Sequence, residues 1–130
     1  MHNAECRMQN EEFSVSENAI EQKSFDFAVR TVNLYRHLTK KKREYVLSKQ
    51  VLRSGTSIGA NVSEAQRGQS KADFHAKMSI ALKEANETCY WIKLLYKTEY
   101  LTSTEYDSLR ADIDELLRLL IAICKTSEEK

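Results

Sequence analysis

Apolar residues recur along most of this chain at alternating steps of three and four, the spacing that keeps side chains on one face of a helix. The pattern is clearest at Phe74, Met78, Ala81, Ala85, Thr88, Ile92 and Leu95, three heptads that specify a seam against a near-parallel or antiparallel neighbour. A fourth helix is predicted to start at Thr102 or Ser103, with a seam of Tyr106, Leu109, Ile113, Leu116, Leu120 and Ile123. Upstream, Leu47, Val51, Ser54, Ile58 and either Asn61 or Val62 form the buried face of a helix over about 43–65, and its core positions are small. The first helix is expected to start near Ser16 to Ser24, where a serine can cap it, and to run to Leu38 with Phe25, Ala28, Val32 and Tyr35 buried. Residues 1–16 show no sustained period and read as a flexible leader, 17–125 as the helical unit and 126–130 as a flexible tail.

Connections of about three to six residues between long helices require antiparallel neighbours, so the expected fold is all-α, an antiparallel up-down-up-down four-helix bundle. Punctuation agrees, because proline is absent and glycine occurs three times. Gly55 and Gly59 lie four apart on one side of the second helix. Each costs about 1 kcal/mol relative to alanine in a helix interior, so a close approach by another backbone is expected there. Gly68 fits a helix end, and Ser70 can cap the third helix with Asp73 three positions later.

A length of 130 residues suits one domain, and 42% hydrophobic with 30% charged residues excludes a disordered polymer. The apolar runs fall short of the roughly 20 residues that span a bilayer. Met1 to Phe13 has no apolar signal core, so a cytoplasmic location is expected. Cys6, Cys89 and Cys124 are odd in number and widely separated, which argues against a disulfide framework or a metal-binding pair.

Charge changes the picture more. Residues 1–29 carry net −4 and 84–130 net −4, whereas 30–53 carry Arg30, Arg36, Lys40, Lys41, Lys42, Arg43, Lys49 and Arg53 against Glu44 alone, net +7. Positive charge confined in this way suits a polyanion, and equally suits a solvated helix end.

Catalytic equipment is not expected. A di-iron bundle needs inward Glu-x-x-His pairs, yet Leu34 and Ala72 stand three before His37 and His75. His2 lies in the leader, the histidines share no metal spacing with the cysteines, and neither a nucleophile elbow nor a phosphate-cradling glycine loop occurs. No metal or cofactor is expected.

Two features remain. Arg53, Ser57, Asn61 and Glu64 recur at steps of 4, 4 and 3, one polar stripe beside the small core positions. Ser and Asn are poor in a helix interior unless their side chains find partners, which suggests a network within or between protomers over a plain solvated face. Tyr90, Trp91, Leu94, Leu95, Tyr96 and Tyr100 cover most of the circumference of the third helix's end, more than one seam buries. Either another subunit or the leader, with Phe13 as a plug, would cover the surplus.

The run Gln50 to Ala65, QVLRSGTSIGANVSEA, followed by QRGQSKADF, resembles the bacterial four helix bundle protein family. That family includes proteins encoded in intervening sequences of large-subunit ribosomal RNA genes, and the accessory variability determinants of diversity-generating retroelements. The residues that carry the resemblance are Gln50, Arg53, Ser57, Ile58, Asn61, Val62, Glu64, Phe74 and Glu87, so the polar stripe and the signature coincide. Ser54 departs from a frequent second arginine, Ala65 from a glycine that often follows the glutamate, and no proline precedes the second helix. The resemblance implies a ring-shaped homo-oligomer, a pentamer, and for the retroelement relatives a basic surface that binds nucleic acid and a reverse-transcriptase partner.

The expected function is therefore a non-catalytic homo-oligomer that binds nucleic acid, RNA before DNA, through Arg36, Lys40, Lys41, Lys42, Arg43, Lys49 and Arg53. Ser57, Asn61, Glu64, Glu87 and Trp91 are assigned to the oligomer interface or polar network. The alternative is a protein-binding scaffold or accessory factor for a nucleic-acid enzyme. A third possibility, an enzyme using Arg53, Asn61 and Glu64, requires a concave pocket at those residues.

Overall fold

Without proline, and with glycine confined to positions 55, 59 and 68, nothing in the first 40 residues interrupts a helix. A computed structural model describes the backbone of residues 4–128 and the side chains of 18–128. The helices are α1 (Ala4–Lys40), α2 (Leu47–Gln66), α3 (Lys71–Lys97) and α4 (Ser103–Glu128), with no strand among the described residues. The helix expected to start at Ser16 to Ser24 thus begins at Ala4. Ala4, Glu5, Met8, Gln9, Glu11 and Glu12 propagate a helix on propensity, without needing an apolar stripe. At the other end α4 continues through residues 126–128, which were expected in the tail. The side chains of Cys6 and Phe13, and His2 altogether, lie outside the described residues.

Each helix packs on its chain neighbours, and α1 closes the bundle against α4. Directions follow from the pairs that span each seam. Lys23 meets Glu115 at 3.2 Å and Arg30 meets Asp112 at 2.6 Å, so α1 and α4 run opposite ways. Gly55 faces Thr31 while Gly59 faces Ser24, Arg53 reaches Glu84 while Glu64 reaches Lys77, and Tyr96 stacks on Tyr106 while His75 meets Ser127. All four seams are antiparallel.

The buried seams of α3 and α4 are those the periodicity predicts, with Phe74 and Tyr106 half-buried at their ends. In α2, Val62 takes the buried place and Asn61 lies half-buried beside it.

The seam of α1 corrects the expectation. Ile20, Ser24, Phe27, Thr31 and Leu38 are buried, whereas Phe25 is 64% exposed. The expected stripe of Phe25, Ala28, Val32 and Tyr35 is rotated by about 100° from the true one, a single residue's turn. The cause is polar. Ser24 and Thr31 carry no hydrophobic signal, yet they are short enough to lie against the glycines of α2. A Cβ at Gly55 would stand 2.6 Å from Thr31 Cγ2 and Oγ1, and one at Gly59 would stand 3.1 Å from the Ser24 carbonyl oxygen. Both hydroxyls are satisfied within α1, Thr31 donating to the Phe27 carbonyl at 2.8 Å and Ser24 to that of Glu21 at 3.2 Å. The close approach inferred from the two glycines is therefore real, and it draws the stretch of α1 around Ser24 and Thr31 tightly against the middle of α2.

Candidate nucleic-acid interface

The corner between α1 and α2 is closed by backbone bonds to the end of α1, from Lys41 N to His37 O at 2.9 Å and from Glu44 N to Leu38 O at 2.9 Å. Arg43 turns the chain in the left-handed region, with φ of 56°. Glu44, the lone acid of the basic segment, is buried at 8% exposure. Its carboxylate accepts the amide hydrogens of Val46 at 3.1 Å, Leu47 at 3.0 Å and Ser48 at 2.6 Å, satisfying the orphan donors that open α2. α2 accordingly starts at Leu47 and not Arg43, because Glu44 serves as its cap. Burial by itself would raise this carboxyl, but the amides of Leu47, Ser48 and Val46 outweigh it and hold the pKa below its ordinary 4.5.

A carboxyl depressed in the folded state contributes stability in full above its unfolded value and loses it as pH falls through the lower folded one. Glu44→Gln is expected to cost about 1–2 kcal/mol near pH 7, the range of a lost helix cap. The gap between wild type and variant should narrow as pH falls below the ordinary carboxylate value and through the lower folded one, followed by urea denaturation. Equal stability near pH 7 would show that the carboxylate does not hold the corner.

This fixed corner displays cations. Arg36, Lys40, Lys41, Lys42, Arg43 and Lys49 are all exposed, and none is ion-paired among the described residues. The corner between α3 and α4 lies at the same end. There Lys42, Tyr96, Lys97, Glu99, Leu101 and Thr102 line one cleft, and the Lys97 ammonium stands 5.9 Å from the Tyr96 ring centroid. Glu105 is already engaged at this end. It accepts from Thr102 N at 2.8 Å and lies 3.9 Å from His37, and the Thr102 amide, with His37 and Lys42 assisting, lowers its pKa against the opposing effect of burial. Lys97 was missed because its segment is acidic on balance, and the antiparallel topology alone brings it beside Lys42.

Arg53 departs from the expected basic set. It is held on the α2/α3 flank by Glu84, at 3.1 Å, and by Glu87, whose Oε2 also accepts the Trp91 indole N–H at 2.9 Å. The rest of the polar stripe does not converge with it. Ser57 donates to the Arg53 carbonyl at 2.6 Å, Asn61 to the Ser57 carbonyl at 2.8 Å, and Glu64 meets Lys77 at 3.5 Å. Bonds back to the preceding turn are what make serine and asparagine tolerable inside a helix. Thus Arg53, Glu87 and Trp91 come together, while Arg53, Asn61 and Glu64 are each engaged separately. Ser54 is fully buried, 2.9 Å from the Thr88 hydroxyl.

Packing within the bundle takes up most of the aromatic surplus of α3. Leu95 is buried, Tyr96 stacks on Tyr106 with centroids 4.2 Å apart, and Trp91, Leu94 and Tyr100 are half-buried. Tyr90 stays exposed, edge-on to Trp91 at 5.1 Å. Between α3 and α4, His75 Nδ1 lies 2.6 Å from Ser127 Oγ, and Ser79 lies 4.0 Å from Cys124 Sγ. Burial pushes the Cys124 thiol up against the opposing bond from Ser79, which keeps it protonated and unreactive. Among the described residues no group of three His, Cys, Asp or Glu side chains could hold a metal ion, and no helix is long and apolar enough to cross a membrane.

Residues 16–122, which take in the core of the bundle and both corners of its basic end, match the profile of the 23S rRNA-intervening sequence protein family. The chain belongs to that family. A protein of unknown function from Bacteroides thetaiotaomicron, of the S23 ribosomal protein family, is 55% identical and superimposes with a TM-score of 0.83. That alignment covers 85% of this chain and 98% of the Bacteroides chain. No curated protein matches. The two chains therefore share the bundle on which the basic corner is built.

Proposed function

We propose that this family member is a non-catalytic RNA-binding protein that works in the cytoplasm as a homo-oligomer, pentameric as the resemblance implies, with RNA lying against the α1/α2 corner. The observation that carries the reading is the set of six exposed cations at the α1/α2 corner, Arg36 and Lys40 on the end of α1, Lys41, Lys42 and Arg43 in the connection and Lys49 in the first turn of α2, where the Glu44 carboxylate holds the first amides. Cations not held in ion pairs release counterions when they meet phosphates, and several copies in one ring would multiply the contacts. Support for self-association comes from α1, whose outer flank exposes Phe25 at 64% and Val29 at 47% beside the groove floored by Gly59. The same apolar flank favours the second reading, a scaffold for a nucleic-acid enzyme with no RNA contact of its own.

Light scattering on freshly purified protein, before and after nuclease, separates these readings. The proposal predicts nuclease-sensitive ultraviolet absorbance, and a remaining mass near five times the 15.0 kDa of one chain. A nucleic-acid-free monomer would overturn it, and a stoichiometric protein partner would favour the scaffold.

A further inference from the structure

Besides its cations, the α1/α2 corner turns two apolar side chains out of the bundle, Tyr45 at 52% exposure and Val46 at 70%. Slackness does not explain them. Arg43 before them is locked in the left-handed turn, and the buried Glu44 carboxylate ties down the amides of Val46, Leu47 and Ser48 behind them. The Tyr45 ring is therefore presented by fixed backbone, and it makes no aromatic contact among the described residues. Around it in the chain stand Lys41, Lys42, Arg43 and Lys49, all exposed and free of ion pairs.

A flat ring offered among unpaired cations combines the two elements that recognise an unpaired polynucleotide strand, a face for a base and positive charge for the phosphates. We infer that Tyr45 is a base-stacking platform and that the ligand of this corner is single-stranded RNA. The inference rests on the RNA-binding reading above and adds the form of RNA that is taken. Duplex RNA has its bases already stacked on one another and offers the corner little beyond phosphates, so the lysines hold either form while the ring discriminates. Charge complementarity decides the occupant, since an apolar protein segment would satisfy Tyr45 and Val46 but leave four neighbouring cations without partners.

Fluorescence anisotropy at low salt tests this with a labelled oligouridylate of about 20 nucleotides and a duplex RNA of the same length. The wild type should favour the single strand. Tyr45→Ala should weaken oligouridylate binding by about 5- to 100-fold, the range for one lost base stack, and leave duplex affinity within about twofold. Tyr45→Phe keeps the ring and should keep the affinity. Because the side chain is half outside the fold, the variants should melt at the wild-type temperature. An equal loss on both RNAs, no loss on either, or a wild-type preference for duplex would overturn the stacking platform while the basic-surface reading stands. Absence of binding to both RNAs would overturn the two together.

Discussion

Gly55→Val is expected to destabilise the bundle by about 3 kcal/mol or more, at the upper end of overpacking costs, read as a lowered midpoint in urea denaturation. Even the first carbon of a side chain at 55 would lie 2.6 Å from Thr31 Cγ2 and Oγ1, and valine adds two more. Helix propensity works the other way but gains only a few tenths of a kcal/mol over glycine. Thr31 cannot turn aside cheaply, being buried and bonded to the Phe27 carbonyl at 2.8 Å. Removing its hydroxyl and methyl with Thr31→Ala should restore part of the loss, so the two substitutions should be strongly non-additive in a double-mutant cycle. A valine tolerated within about 0.5 kcal/mol would mean that α1 and α2 do not meet this closely. The consequence reaches the candidate interface, because the packing of α1 on α2 at this contact supports the corner on which the cations stand.

Neutralising Lys40, Lys41, Lys42 and Arg43 together with glutamine should weaken binding to single-stranded RNA by about 10²- to 10³-fold at low salt, through the loss of up to four counterion-releasing contacts. The salt dependence should flatten with it, by about 0.7 in log–log slope for each phosphate contact removed. Stability should barely move, since the four side chains are exposed and make no ion pair among the described residues. The same change at Arg53 is a contrast. It would break the pairs with Glu84 and Glu87, and should leave RNA affinity nearly intact.

Much of this was legible in the chain. Three of the four core seams follow from spacing alone, because α2, α3 and α4 mark their buried faces with apolar residues or with glycine. The face of α1 was misread for the reason that makes it work: Ser24 and Thr31 are buried for their shortness and their internal hydrogen bonds, and a hydrophobicity pattern passes over both. The basic block was plain in the charge distribution, but its partition was not. Arg53 leaves the set because α3 brings Glu84 and Glu87 to it, and Lys97 joins because two chain-distant corners share one end of the bundle. The role of Glu44 had a local signal, an acid within reach of the first amides of a helix in a segment otherwise cationic. Tyr45 had none, since its exposure depends on how that cap holds the loop.

RNA binding at the basic corner is tested most directly by the affinity of the wild-type protein for single-stranded oligouridylate, measured across about 50 to 200 mM salt. Engagement of the basic corner through about six cations predicts a straight line of log affinity against log salt with a slope near −4, a loss of about two orders of magnitude over that range. Binding that ignores salt, or no binding at the lowest salt, would contradict it.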